Sequence, residues 1–137
     1  RGDTARELRV VDESAIGTGT RVEFKPDPRI FPDCDFRIEP LSARFRELAY
    51  LNEGLRIQVV DERSEKEFDF CFHDGLREFV KHLSEGAEPL HSNVICLSAQ
   101  DPAQGLSCEI ALRYTDSFTE NIVCFANNIK NIDGGRL

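Results

Sequence analysis

The chain has 137 residues, 40% of them hydrophobic and 31% charged, with a formal net charge of -8. That length and apolar share suit one ordinary soluble domain or parts of two smaller ones, and no apolar run approaches the roughly 20 residues of a membrane-spanning helix. The acidic balance argues against this chain as the main grip on duplex DNA, because a phosphate backbone needs clustered Lys and Arg. The opening Arg1-Gly2-Asp3-Thr4 has no apolar signal core, so a cytoplasmic location is expected, with no membrane partner. Five cysteines (Cys34, Cys71, Cys96, Cys108, Cys124) lack CxxC or Cys/His ligand spacing and read as reduced, mostly buried thiols.

In chain order, Glu7 to Val11 and Thr20 to Lys25 read as strands, the second alternating Val22 and Phe24 with Arg21, Glu23 and Lys25. Pro26-Asp27-Pro28 and Pro32-Asp33 then demand a surface loop, since proline donates no ladder hydrogen bond. From Pro40 the spacing predicts a helix with Leu41, Phe45, Leu48 and Ala49 inward, Arg44, Arg46 and Glu47 outward, and Gly54 past its end. Leu55, Ile57 and Val59, then Phe68, Phe70 and Phe72, alternate with polar residues and predict an antiparallel hairpin joined by the charged link Asp61 to Glu67. Asp74 is placed to cap a second helix, with Leu76, Phe79, Val80 and Leu83 inward and Gly86 as its stop. Glu85 to Asn93 reads as a linker, followed by strands over Val94 to Leu97, Leu106 to Tyr114 and Ile122 to Phe125. The order predicts an α+β fold with a mostly antiparallel sheet.

The residues alone offer little chemistry. Neither a Walker loop nor GxGxxG is present, and Gly17-Thr18-Gly19-Thr20 is the nearest approach to a phosphate cradle. His73, His82 and His91 have no metal-box spacing. The acids Asp61, Glu62, Glu65 and Glu67 fall in a predicted turn, where a solvated tip is the expected role. No GxSxG nucleophile elbow occurs.

Three ordered stretches carry a resemblance. Thr18 to Asp27 with Ile30-Phe31, Leu41 to Asn52 with Gly54, and Asp116 to Ile129 with Asp133-Gly134-Gly135 resemble the ATPase subunits of bacterial type IIA DNA topoisomerases, the gyrase B and topoisomerase IV B family. The resemblance implies an internal piece with two part-domains. Residues 1-73 would be the distal half of a GHKL-type ATPase domain, and residues 74-137 the start of a transducer domain like ribosomal protein S5. It also implies that Thr20 contacts adenine through a water and that Val22 lines the apolar wall of the nucleotide pocket, although Val22 reads equally as ordinary core. No catalytic or metal-binding residue of the family matches here. ATP and magnesium would serve the full-length subunit and not this piece alone. The implied partners of the full subunit are a second B subunit, a gyrase A-type subunit and duplex DNA. Two departures stand out: Gly17 where the family commonly has a polar residue, and Arg136-Leu137 where it continues Thr-His. A stand-alone interaction module keeping this half-fold is the alternative. Without the upstream half, one face of the sheet of Thr20 to Lys25 and Leu55 to Phe72 is expected to be only partly covered by the two helices, so self-association or a repositioned boundary strand is expected.

Overall fold

The computed structural model describes Arg6, Glu7, Arg9, Val10 and residues 22–132. The chain forms two compact units, Arg1–Asp35 and Phe36–Leu137. In the first, the strand expected over Glu7 to Val11 is not formed at Glu7, Arg9 or Val10, and Leu8 and Val11 lie outside the described residues. Residues 22–25 lie in no strand of the structure, and Thr20 and Arg21 lie outside the described residues. The proline loop forms as expected. Asp27 organises it: its carboxylate accepts from the Arg29 backbone N–H at 2.9 Å and the Arg29 guanidinium at 2.8 Å, and its carbonyl accepts from Ile30 and Phe31.

The second unit opens with helix α1 (Ile38–Leu51), then the hairpin β1 (Ile57–Asp61) and β2 (Lys66–Phe70), then helix α2 (Leu76–Leu83). Two further hairpins follow: β3 (Ile95–Asp101) with β4 (Leu106–Leu112), and β5 (Cys124–Ala126) with β6 (Ile129–Asn131). Each pair is antiparallel and stands as its own two-stranded sheet among the described residues. The α+β reading therefore holds. Strand β6 is an addition, and β3 runs on to Asp101 rather than stopping at Leu97.

The core lies where α1 and α2 meet the first hairpin. Ile38, Ala49, Tyr50, Phe70 and Phe79 are buried there. Tyr50 stacks on Phe72 with ring centroids 3.6 Å apart, on Phe79 at 5.0 Å and on His82 at 5.7 Å. The inward face of α1 is thus rotated from the expected one. Leu41 is exposed, while Ser42 and Tyr50 are buried and the Arg46 guanidinium lies 5.2 Å from the Phe70 ring centre. Lys66 of β2 bonds Glu39 at 2.9 Å, and Arg63 donates to the Phe36 carbonyl, which ties the hairpin tip to the start of α1.

Asp74 does not cap α2. Gly75 occupies the N-cap with φ of 49°, a left-handed value that suits glycine, and the capping side chain is replaced by Glu78 reaching back to the Asp74 N–H at 3.4 Å. Gly86, with φ of 88°, ends the turn after α2 as expected. The predicted linker is pinned: Leu90 N–H donates to the Tyr114 carbonyl and Asp116 N–H to the Glu88 carbonyl, forming a bridge between Pro89 and Thr115. The cysteines are free, but Cys34, Cys96 and Cys108 are exposed and Cys71 and Cys124 half-buried. The expected burial is not found: Cys96 and Cys108 lie on the β3–β4 hairpin, which has little covering it, and Cys34 lies in the loop before α1.

Candidate functional site

Of the two nucleotide-contact candidates, Thr20 lies outside the described residues, and Val22 is described as 77% exposed. As described, Val22 is not a core residue. Phe24 is exposed beside it.

The histidines have local duties. His91 Nε2 accepts from the Tyr114 N–H at 3.0 Å while Nδ1 meets the Asn93 carbonyl, an arrangement that fixes the proton on Nδ1. His82 Nδ1 lies 3.0 Å from Glu85 and its ring extends the Tyr50 stack. His73 Nε2 lies 3.8 Å from the Cys71 sulfur, both near the chain turn into α2. Among the described residues no group of three or more His, Cys, Asp or Glu is placed to hold a metal ion.

The acidic turn behaves as a structural tip. Asp61 bonds the Arg63 guanidinium at 3.0 Å and the Ser64 hydroxyl at 2.9 Å. The Arg63 side chain in particular lowers the Asp61 carboxyl from its ordinary 3.8 to about 2. Asp69 is likewise lowered, chiefly by the Arg56 guanidinium, with Gln58 adding a bond at 3.2 Å.

The densest polar arrangement joins two segments far apart in the chain. Asn127 and Asn128 make the two-residue turn between β5 and β6 with φ of 48° and 65°, a left-handed pair that Asn tolerates better than most residues. The Asn128 carbonyl accepts from Arg44 of α1, and its side-chain amide donates to Asn52 at 3.2 Å. Glu47 of α1 bonds Arg44 at 2.9 Å and lies 3.6 Å from Lys130 of β6. The sequence marks both segments as motifs but does not link them. Its one signal is the Asn-Asn pair after the apolar run Ile122 to Ala126, which marks a tight turn.

Similarity to known proteins decides the family. The DNA gyrase B family model matches residues 75–137. The DNA gyrase B protein of Halalkalibacterium halodurans is 43% identical over 98% of this chain, and that of Clostridium acetobutylicum 44% over 98%. The chain belongs to the DNA gyrase B family. The type 2 topoisomerase B protein of Aquifex aeolicus is 40% identical over 98% of the chain. Among solved structures, the 43K ATPase domain of Thermus thermophilus gyrase B, itself in complex with an aminocoumarin, superposes with a TM-score of 0.69 at 32% identity, covering 78% of this chain and 29% of that one. The gyrase B protein of Myxococcus xanthus shares the fold, with a TM-score of 0.75 at 24% identity, covering 88% of this chain and 36% of that one. The chain spans 21% of the length of the Halalkalibacterium gyrase B relative and 17% of the Aquifex one. Within this gyrase B family, the contact between α1 and the Asn127-Asn128 turn joins two of the three stretches that carry the resemblance.

Proposed function

We propose that this chain is a segment of the ATP-hydrolysing subunit of a bacterial type II DNA topoisomerase, in which ATP-driven closure of a clamp is coupled to DNA strand passage. The observation that carries the reading is identity of 43% to a gyrase B running across nearly the whole chain, together with the fold shared with a gyrase B ATPase domain. In this reading residues 1-73 belong to the GHKL-type ATPase part and residues 74-137 to the transducer part. The family match begins at Gly75, two residues past His73, which supports that division. ATP and magnesium are the cofactors of the full subunit, and a second B subunit, a gyrase A-type subunit and duplex DNA are its partners in the cytoplasm. Thr20 would meet adenine through a water, its hydroxyl serving as both donor and acceptor, and Val22 would lie against the base. The exposure of Val22 leaves its side chain accessible to such a ligand.

The segment does not by itself carry the reaction. Positioning of phosphate, water and metal cannot come from one wall of a pocket, so the isolated chain should release no phosphate from ATP above a buffer blank. The reading itself is tested by exchange. The 137 residues replace the matching segment in the Halalkalibacterium gyrase B, and ATP-dependent supercoiling is assayed with the cognate A-type subunit. Retained supercoiling supports the assignment. A folded, soluble chimera with ATP-independent or no supercoiling overturns it.

A further inference from the structure

We infer that Arg44, Glu47 and Asn52 of α1 form a polar clamp on the β5–β6 turn, so that the hairpin moves with α1 rather than with its own neighbours in sequence. The inference rests on the division proposed above, in which α1 lies on the nucleotide side and β5–β6 on the transducer side of the chain.

Four features make the contact a joint rather than a chance touch. The turn presents a backbone acceptor: Asn127 and Asn128 are both left-handed, and the Asn128 carbonyl accepts from the Arg44 guanidinium. Asn52 is held ready, because its side-chain Nδ2 donates to the Leu48 carbonyl at 2.7 Å. A carbonyl only accepts, so the orientation of the Asn52 amide is fixed and Oδ1 is left to receive the Asn128 amide at 3.2 Å. Glu47 sits between two cations, bonding Arg44 at 2.9 Å and facing Lys130 at 3.6 Å. It therefore holds Arg44 in the geometry that reaches the turn and draws β6 toward the helix at the same time. An apolar contact closes the other side of the hairpin, with Phe125 of β5 lying 5.9 Å from Phe79 of α2.

A three-residue-per-strand hairpin has too few ladder bonds to be stable alone. Its order must come from what it docks on, and the polar contacts of the turn and of Lys130 just described all lead to α1. A displacement of α1 would be delivered to residues 124–131 through these bonds.

Site-resolved amide exchange on the 137-residue chain tests this. Arg44→Met keeps the aliphatic stem but removes the donor, and should lower protection of the amides of 124–131 about tenfold while those of β1 and β2 keep theirs. Arg44→Lys, which restores one charged donor, should recover part of the loss. Asn128→Gly keeps the left-handed turn and removes only the bond to Asn52, and should loosen the same residues about threefold. Should Arg44→Met fail to fold, Lys130→Met removes the second cation of Glu47 without altering α1 and is expected to act in the same direction. Protection over 124–131 that is unchanged in the folded variants, or that falls only in parallel with β1 and β2, overturns the proposal. That result would leave the topoisomerase assignment standing, since supercoiling by the chimera reads the assignment and not the hairpin.

Discussion

Tyr50 is the residue on which the core turns. It is 6% exposed and touches Phe72, Phe79 and His82, so it joins α1 to the chain leaving β2 and to α2 at once. Burial raises its phenol pKa, a sign that the ring end is also drawn away from water. Tyr50→Ala should cost about 3 to 5 kcal/mol in urea denaturation, as for other buried aromatics, whereas Tyr50→Phe should stay within about 1 kcal/mol. Asp61 gives a test of a different kind. Its folded pKa is below its unfolded one, so the stabilisation it lends the β1–β2 turn is complete above the unfolded value of 3.8 and is lost as pH falls through about 2. A carboxyl titration followed by NMR should find the Asp61 midpoint near 2, and Arg63→Ala should move it back toward 3.8. A midpoint already at the ordinary value in the parent chain would remove Arg63 from its assigned role.

At the scale of elements, the first two hairpins share one loop design that their sequences conceal. Asp61-Glu62-Arg63-Ser64-Glu65-Lys66 and Asp101-Pro102-Ala103-Gln104-Gly105-Leu106 have only the first residue in common. In both, the leading Asp accepts at its side chain from the N–H two residues on, at 3.1 and 3.0 Å, and at its carbonyl from the N–H three residues on. In both the last loop residue is left-handed, Gly105 at φ of 65° and Glu65 at 54°. Glutamate carries a steric cost there that glycine does not, so Glu65→Gly should raise the thermal midpoint through a gain of about 1 kcal/mol, and Gly105→Ala should lower it by a similar amount. The elements that alternate or repeat strongly are legible from sequence: α1, α2, β1, β2, β3 and β4 all fall where the spacing puts them, to within a few residues. What escapes depends on contacts distant in sequence. The rotation of α1 toward Tyr50 is set by the aromatic rings of Phe72 and Phe79, which no helical spacing reveals. The α2 cap goes to Gly75 because a positive φ at that position excludes the cap geometry that Asp74 would need. Strand β6 is hidden because Ile129-Lys130-Asn131 is too short to show alternation, and only the Asn-Asn pair before it announces a turn. Of the candidate site, Thr20 and Val22 rest on resemblance, and the clamp of α1 on Asn128 rests on a fold that had to be seen.

At the scale of the whole molecule, an open apolar stripe among the described residues lies on the β3–β4 hairpin, and not on the inward face of the β1–β2 hairpin, where the sequence predicts one. Phe70 is buried, and Ile57, Val59 and Phe68 are half-buried under the helices, so the first hairpin is largely covered. On the second, the register puts Ile95 opposite Leu112, Leu97 opposite Ile110 and Ala99 opposite Cys108, all on one face because directly paired residues share a side. Ile95, Leu97, Leu106 and Ile110 are exposed. Among the described residues neither strand has a second neighbour, so each seven-residue strand also presents an unpaired ladder edge. Protective features of natural edges, lysine and proline above all, are missing from both strands, whose only charges are Asp101 and Glu109. An apolar stripe of this kind beside two open edges favours pairing with a second copy of the chain. The net charge of -8 opposes that association over the Debye length of about 8 Å at physiological salt, so higher salt should strengthen it. Sedimentation velocity should show species larger than the monomer that grow with concentration and with salt. Leu97→Lys combined with Ile110→Lys places two charges in the middle of the stripe and should return the chain to monomer while leaving the Tyr50 core and its circular dichroism unchanged. A parent chain that stays a monodisperse monomer at high concentration and high salt, and binds no apolar-surface dye, would show that the hairpin is covered in solution by something other than a second copy.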